Sequence, residues 1–153
     1  AEFAYNSRLD TVQAVVAHHV LGRIDEIIQR RRQIAAQLDG LLHGCEGVTW
    51  VPQNMRAFST YYLYTIRAKL RDHLSSYLMM EGVDAKVHYP VPIHMQPAAV
   101  ALGYHPGDFP VAERLAETTI SLPAHEFVTD DQIVEMAGLI RRFYKRGKLY
   151  RVA

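Results

Sequence analysis

Residues 9–42 read LDTVQAVVAHHVLGRIDEIIQRRRQIAAQLDGLL, a long stretch without a proline. Apolar side chains fall at Leu9, Val12, Val16, Val20, Ile24, Ile27, Ile34, Leu38 and Leu41, in steps of three and four. That spacing predicts one face of a single helix, interrupted where Arg31 takes a face position. At 1.5 Å per residue the rod would be roughly 50 Å long. This exceeds the width of a small domain, so part of the helix should lie against something else. Ser7 followed by Asp10 resembles a capping box with Asp in place of Glu or Gln. Asn6 then falls just outside a helix N-terminus, where free amides and the dipole favour an anion.

Beyond this helix the pattern changes to short strands and short helices. Val48-Thr49-Trp50-Val51 is a strand candidate stopped by Pro52, and Ser59–Arg67, rich in Tyr and β-branched residues, is a second. A helix is expected from Leu70 to Met80, ended by Gly82. Val83–Tyr89 reads as a third strand running into Pro90 and Pro92, and Thr118–Leu122 as a fourth, closed by Pro123. Short helices are expected at Pro97–Leu102 and Pro110–Glu117. Thr129-Asp130-Asp131-Gln132 opens a last helix that runs to about Lys145. The order predicts an α+β fold, a long N-terminal helix followed by a small, mainly antiparallel sheet backed by helices.

Composition bounds the function. With 153 residues the chain fits one domain of ordinary size. Seventeen Lys and Arg against sixteen Asp and Glu leave +1, too little field to hold a polyanion, so no nucleic-acid partner is expected. A single cysteine, Cys45, excludes an internal disulfide framework and suits a reducing compartment. No apolar run of ~20 residues offers a membrane span, and no signal peptide is evident. A cytoplasmic chain is the expectation.

Most candidate motifs resolve to plain structure. There is no glycine-rich phosphate loop, no Gly-x-Ser-x-Gly elbow and no His-Glu-x-x-His pair. His18 and His19 point about 100° apart on a helix and cannot chelate together, so no metal is expected. Arg30-Arg31-Arg32 spreads over most of the helix circumference and reads as a solvated or interface face. The basic tail from Lys145 to Arg151 completes the last helix dipole. Tyr61, Tyr62 and Tyr64 read as a half-buried strand. The stretch His88-Tyr89-Pro90-Val91-Pro92-Ile93-His94-Met95-Gln96 is the most unusual. Its prolines stiffen a loop carrying two imidazoles, a phenol and an amide, which suits a polar-ligand platform as well as it suits a satisfied turn.

In order along the chain, five pieces resemble the C-terminal part of the DegT/DnrJ/EryC1/StrS family, the pyridoxal-phosphate-dependent sugar aminotransferases of aspartate-aminotransferase fold. Asn6-Ser7-Arg8-Leu9-Asp10 with Gln13-Ala14 is similar to its Asn-x-Arg-x-x-x-x-Gln-Ala opening. Arg30-Arg31-Arg32 with Ile34-Ala35 is similar to its Arg-Arg-x-x-Ala stretch. His88-Tyr89-Pro90 with Pro92, His94 and Gln96 is similar to its His-Tyr-x-x-Pro-x-His-x-Gln segment. Phe109–Glu113 is the fourth piece, and Ser121-Leu122-Pro123 with Thr129–Ile133 the fifth.

The resemblance implies that residues 1–43 form a long interdomain or dimer helix and 44–153 a small α+β C-terminal domain. It also implies that the cofactor domain with its Schiff-base lysine is absent, since Lys69, Lys86, Lys145 and Lys148 match no such motif. The chain is expected to be a fragment, inactive alone and without cofactor. The whole enzyme would be a homodimer that uses pyridoxal 5'-phosphate to move an amino group from glutamate or glutamine to a keto-sugar, often nucleotide-linked. By the same resemblance Asn6 matches the residue that reaches the cofactor phosphate of the neighbouring subunit. Arg8 would meet a substrate phosphate or carboxylate, and His88, Tyr89 and His94 would border the sugar-nucleotide pocket. Ala4 stands where many relatives have glycine. A sugar dehydratase of the same family and a stand-alone, non-catalytic interaction module are the alternatives.

Overall fold

The computed structural model describes residues 9–50 and 56–149. The helix expected from Leu9 to Leu42 is two helices, α1 (Thr11–Leu21) and α2 (Ile24–Leu42), divided at Gly22 and Arg23. Arg23, with φ −117° and ψ 8°, leaves the helical region, and its N–H reaches back only to Val20 O at 3.0 Å. Glycine has among the lowest helix propensities, so the break falls where the sequence resists it least. Asp10 itself caps α1, accepting the Gln13 N–H at 2.9 Å. The expected capping partner Ser7 lies outside the described residues.

The two helices differ in what they bury. α1 has no buried residue, and Val12, Val15 and Val16 face solvent. α2 buries Ile27, Ile34, Ala35, Leu38 and Leu42. Its arginines are less solvated than the sequence suggests. Arg30 donates to Val128 O at 2.6 Å and to Asp130 at 2.9 Å. Arg31 pairs with Glu126, and Arg32 donates to Ser59 O while its guanidinium lies over the Phe58 ring. The arginine face is therefore a set of ties to loops, not a free basic surface.

Strands β1 (Val48–Trp50), β2 (Tyr64–Ala68) and β3 (Thr119–Leu122) form one antiparallel sheet in the order β1-β2-β3. Val48 pairs with Ala68, and Ile66 with both Trp50 and Ile120. The expected strand from Ser59 is shorter because Tyr61 takes φ +47°, leaving Tyr61 and Tyr62 before the strand. The segment Val83–Tyr89 is no strand. Only Lys86 bridges, exchanging two backbone hydrogen bonds with Ser121 along the free edge of β3. Ala85 N already bonds back to Val83 O, and Pro90 and Pro92 have no N–H with which to extend a ladder.

The remaining helices are α3 (Arg71–Met80), α4 (Pro97–Val100), α5 (Pro110–Thr118) and α6 (Asp130–Leu149), with a 3₁₀ turn at Ile93–Met95. α3 ends in a Schellman motif: Gly82, at φ +83°, donates to Met79 O, and Val83 donates to Leu78 O. A capping box opens α6, with Thr129 Oγ1 accepting from Gln132 N and Gln132 Oε1 accepting from Thr129 N.

One face of the sheet and three helices enclose the core. Ile66 and Ile120 meet Ile34, Leu38 and Leu42 of α2, Leu74 and Leu78 of α3, and Ile133 and Ile140 of α6. Each such burial is worth about 1.5–3 kcal/mol. Two arginines finish the frame. Arg141 on α6 donates to Leu41 O and His43 O at the end of α2, and Arg71 donates to Ala116 O and Thr119 O where α5 runs into β3. Both supply donors to carbonyls that a helix end leaves unpaired.

Candidate functional site

The other face of the sheet is polar, because β2 alternates. Tyr64, Ile66 and Ala68 point into the core, while Thr65 and Arg67 are half-buried on the opposite side. Above Thr65 a cavity of about 700 Å³ opens between the 88–96 loop, the turn before α5 and α5 itself. Val91, Ile93, Leu102, Phe109, Ala112 and Leu115 make most of its wall apolar, and His88, Tyr89, His94, Gln96 and Tyr104 add polar atoms. An apolar body with a few converging polar groups is the usual make-up of a small-molecule site.

The structure brings three of the residues singled out in the sequence to this one cavity: His88, Tyr89 and His94. His88 is exposed, and its Nδ1 lies 3.3 Å from the buried Ser121 Oγ, itself 3.1 Å from Thr65 Oγ1. A chain of three side chains thus anchors the imidazole to the sheet. Tyr89 stands edge-on to His88, ring centroids 5.7 Å apart, and is 74% exposed. The peptide joining them is cis.

His94 is different, being only 7% exposed. Its Nε2 lies 3.0 Å from Glu113 Oε1, and its ring packs on Phe109 at 4.9 Å, with Tyr104 beyond at 5.7 Å from Phe109. The same Glu113 oxygen accepts the N–H of Gly107 at 2.8 Å and of Phe109 at 3.4 Å. The Gly107 N–H above all, with His94 and Phe109 adding to it, holds the Glu113 carboxyl below the usual carboxylate range; burial opposes this in part.

Asn6 and Arg8, the other two residues singled out, lie outside the described residues. Glu113 and Ser121 stand in the fourth and fifth pieces of the resemblance, but neither they nor Thr65 were given a site role. Glu113 carried one local signal, an acid in the first turn of a helix begun by Pro110. Ser121 and Thr65 carried none, since a strand hydroxyl looks alike whether or not it meets an imidazole. Among the described residues no three His, Cys, Asp or Glu side chains are grouped to hold a metal, and no helix is long and apolar enough to cross a membrane.

Both the small antiparallel sheet and the stiff loop beside it point to one family. The model of the DegT/DnrJ/EryC1/StrS aminotransferase family matches residues 1–141, and the chain belongs to this family. It is 40% identical over 118 residues to the erythromycin biosynthesis sensory transduction protein EryC1 of Saccharopolyspora erythraea, covering 77% of this chain and 32% of that protein. It is 33% identical to the dTDP-3-amino-3,4,6-trideoxy-alpha-D-glucose transaminase of Streptomyces venezuelae, covering 92% of this chain and 37% of that one. The crystal structure of S. venezuelae DesV in complex with a ketimine intermediate superposes with a TM-score of 0.87 at 33% identity, covering 92% of this chain and 38% of that chain. The chain therefore spans 32–38% of the length of these relatives.

The family's cofactor is pyridoxal phosphate. Among the described residues no lysine lines the cavity, and Lys86, the lysine next to the loop, is ion-paired with Asp84.

Proposed function

We propose that this chain is the C-terminal part of a pyridoxal-phosphate-dependent aminotransferase that moves an amino group from glutamate or glutamine to a nucleotide-linked keto-sugar. In this reading the 153 residues supply substrate walls and cofactor-phosphate contacts to a homodimer, and are inactive alone. Pyridoxal 5'-phosphate and its lysine belong to the longer protein. Asn6 contributes a hydrogen bond to the cofactor phosphate of the neighbouring subunit, and Arg8 meets an anionic group of the substrate. His88, Tyr89 and His94 face the sugar, where imidazole and phenol groups match hydroxyls as donors or acceptors.

The observation that carries this reading is the convergence of His88, Tyr89 and His94 on one cavity with apolar walls. The transaminase named for the S. venezuelae relative adds support from outside the chain. A non-catalytic role is the second reading, favoured by the sensory-transduction name of the S. erythraea relative.

One assay separates them. The longest polypeptide that the gene encodes is expected to aminate a nucleotide-linked keto-sugar with glutamate or glutamine as donor, and to show the visible band of a bound aldimine. The 153-residue chain with added pyridoxal phosphate is expected to show neither. Amination by the chain alone, or none by the longer polypeptide, overturns the proposal.

A further inference from the structure

One oxygen of Glu113 ties together three segments of the cavity wall: the 3₁₀ turn through His94, the turn at Gly107, and the start of α5 through Phe109. Backbone N–H groups can only donate, so Oε1 is an acceptor in two of its three contacts. An ionised carboxylate has no proton to give to the third. The hydrogen in the 3.0 Å contact must then be carried by His94 Nε2. A neutral imidazole has one N–H, and fixing it on Nε2 leaves Nδ1 with a lone pair.

That lone pair is not used within the fold. Nδ1 has no hydrogen-bond partner among the described residues. The buried, unpartnered side-chain nitrogens among them are Arg31 Nε and Arg67 Nε, so Nδ1 of His94 is not sealed away. We infer that Glu113 is a positioning residue: it fixes His94 as the Nε2–H tautomer, so that the ring offers Nδ1 as an acceptor to a hydroxyl or N–H donor of a ligand in the cavity. This rests on the proposed substrate site only for the ligand; the tautomer is a property of the chain. Gly107 belongs to the same device, because its φ of +96° lets the turn aim its N–H at Glu113, and a side chain there would be strained.

The test is the ring-nitrogen spectrum of the ¹⁵N-labelled 153-residue chain at about pH 8, where an ordinary imidazole is neutral. In the wild type His94 is expected to show a protonated Nε2 and a bare, pyridine-like Nδ1. Glu113→Gln, whose carbonyl can still accept from all three donors, is expected to keep that pattern. Glu113→Leu, of similar size but with no acceptor, is expected to lose it to a mixture of both tautomers. A wild-type ring protonated on Nδ1 overturns the inference even if the leucine variant does not fold. A leucine variant with the wild-type pattern overturns it too. Neither readout needs cofactor or substrate, so a failure of the aminotransferase reading would leave the tautomer result standing.

Discussion

Ser121 Oγ lies 3.3 Å from His88 Nδ1 and 3.1 Å from Thr65 Oγ1, so a buried strand hydroxyl holds an exposed loop imidazole. Ser121→Ala removes that link without opening a large hole. The expected loss is about 0.5–1.5 kcal/mol of folding stability, the net worth of a hydrogen bond. In the ring spectrum His88 should then exchange between orientations. Unchanged stability together with an unchanged His88 signal would show that the loop is held by its prolines alone.

Gly22 offers the opposite kind of change. Its φ of −63° suits any L-residue, and an added Cβ would meet nothing closer than His19 O at 3.5 Å. Gly22→Ala is expected to raise helix content and stabilise the chain by about 0.4–1 kcal/mol, because the alanine has less freedom to lose on folding. Circular dichroism with denaturant titration reads both effects. A loss of stability would mean that the break between α1 and α2 is required by the rest of the fold.

That break marks a limit of what the sequence tells. The stripe Ile27, Ile34, Leu38 was legible because helical periodicity is local, and so were the stop at Gly82 and the box at Thr129 and Gln132. The division at Arg23 was not, since the apolar steps run straight across it. Val83–Tyr89 has strand composition, yet its partners were fixed by β3 and by the local turn at Ala85, leaving only Lys86 paired. The site divides in the same way. The resemblance singled out His88, Tyr89 and His94 by residue type and order, and the fold places them together. Their partners Ser121 and Glu113 lie 33 and 19 residues away, contacts that only tertiary packing creates. Asn6 and Arg8 remain expectations from the resemblance.

Acid should loosen the molecule at two named carboxylates. Arg30, with Gln37 adding to it, holds Asp130 below its ordinary range, and the Gly107 N–H does the same for Glu113. A depressed carboxyl contributes stability that is complete above the unfolded value, about 3.9 for Asp and 4.3 for Glu. That contribution is lost as the pH falls through the lower folded value. Denaturation midpoints should therefore drop as the pH falls below about 4. The drop should be smaller in Asp130→Asn and Glu113→Gln, which have no proton to take up. Equal acid sensitivity in all three proteins would place the titrating groups elsewhere.

Gly47 and Tyr144 fix how α6 seats on the sheet. A Cβ at Gly47 would come within 2.1 Å of the Tyr144 ring, whose hydroxyl donates to Lys69 O at 2.7 Å. Lys69 N in turn donates to Gly47 O at 2.8 Å, closing a loop of contacts between α6 and the ends of β1 and β2. Gly47→Ala must push the ring out, and is expected to cost about 1–3 kcal/mol, the range for overpacking. Tyr144→Ala alone should also destabilise, by losing the ring's packing and its hydrogen bond. The double variant should cost less than the sum of the two, because the methyl then meets no ring. A denaturant series on the four proteins measures that coupling. Strict additivity would mean that the methyl at residue 47 is accommodated by a shift of the β1 backbone and not by the tyrosine.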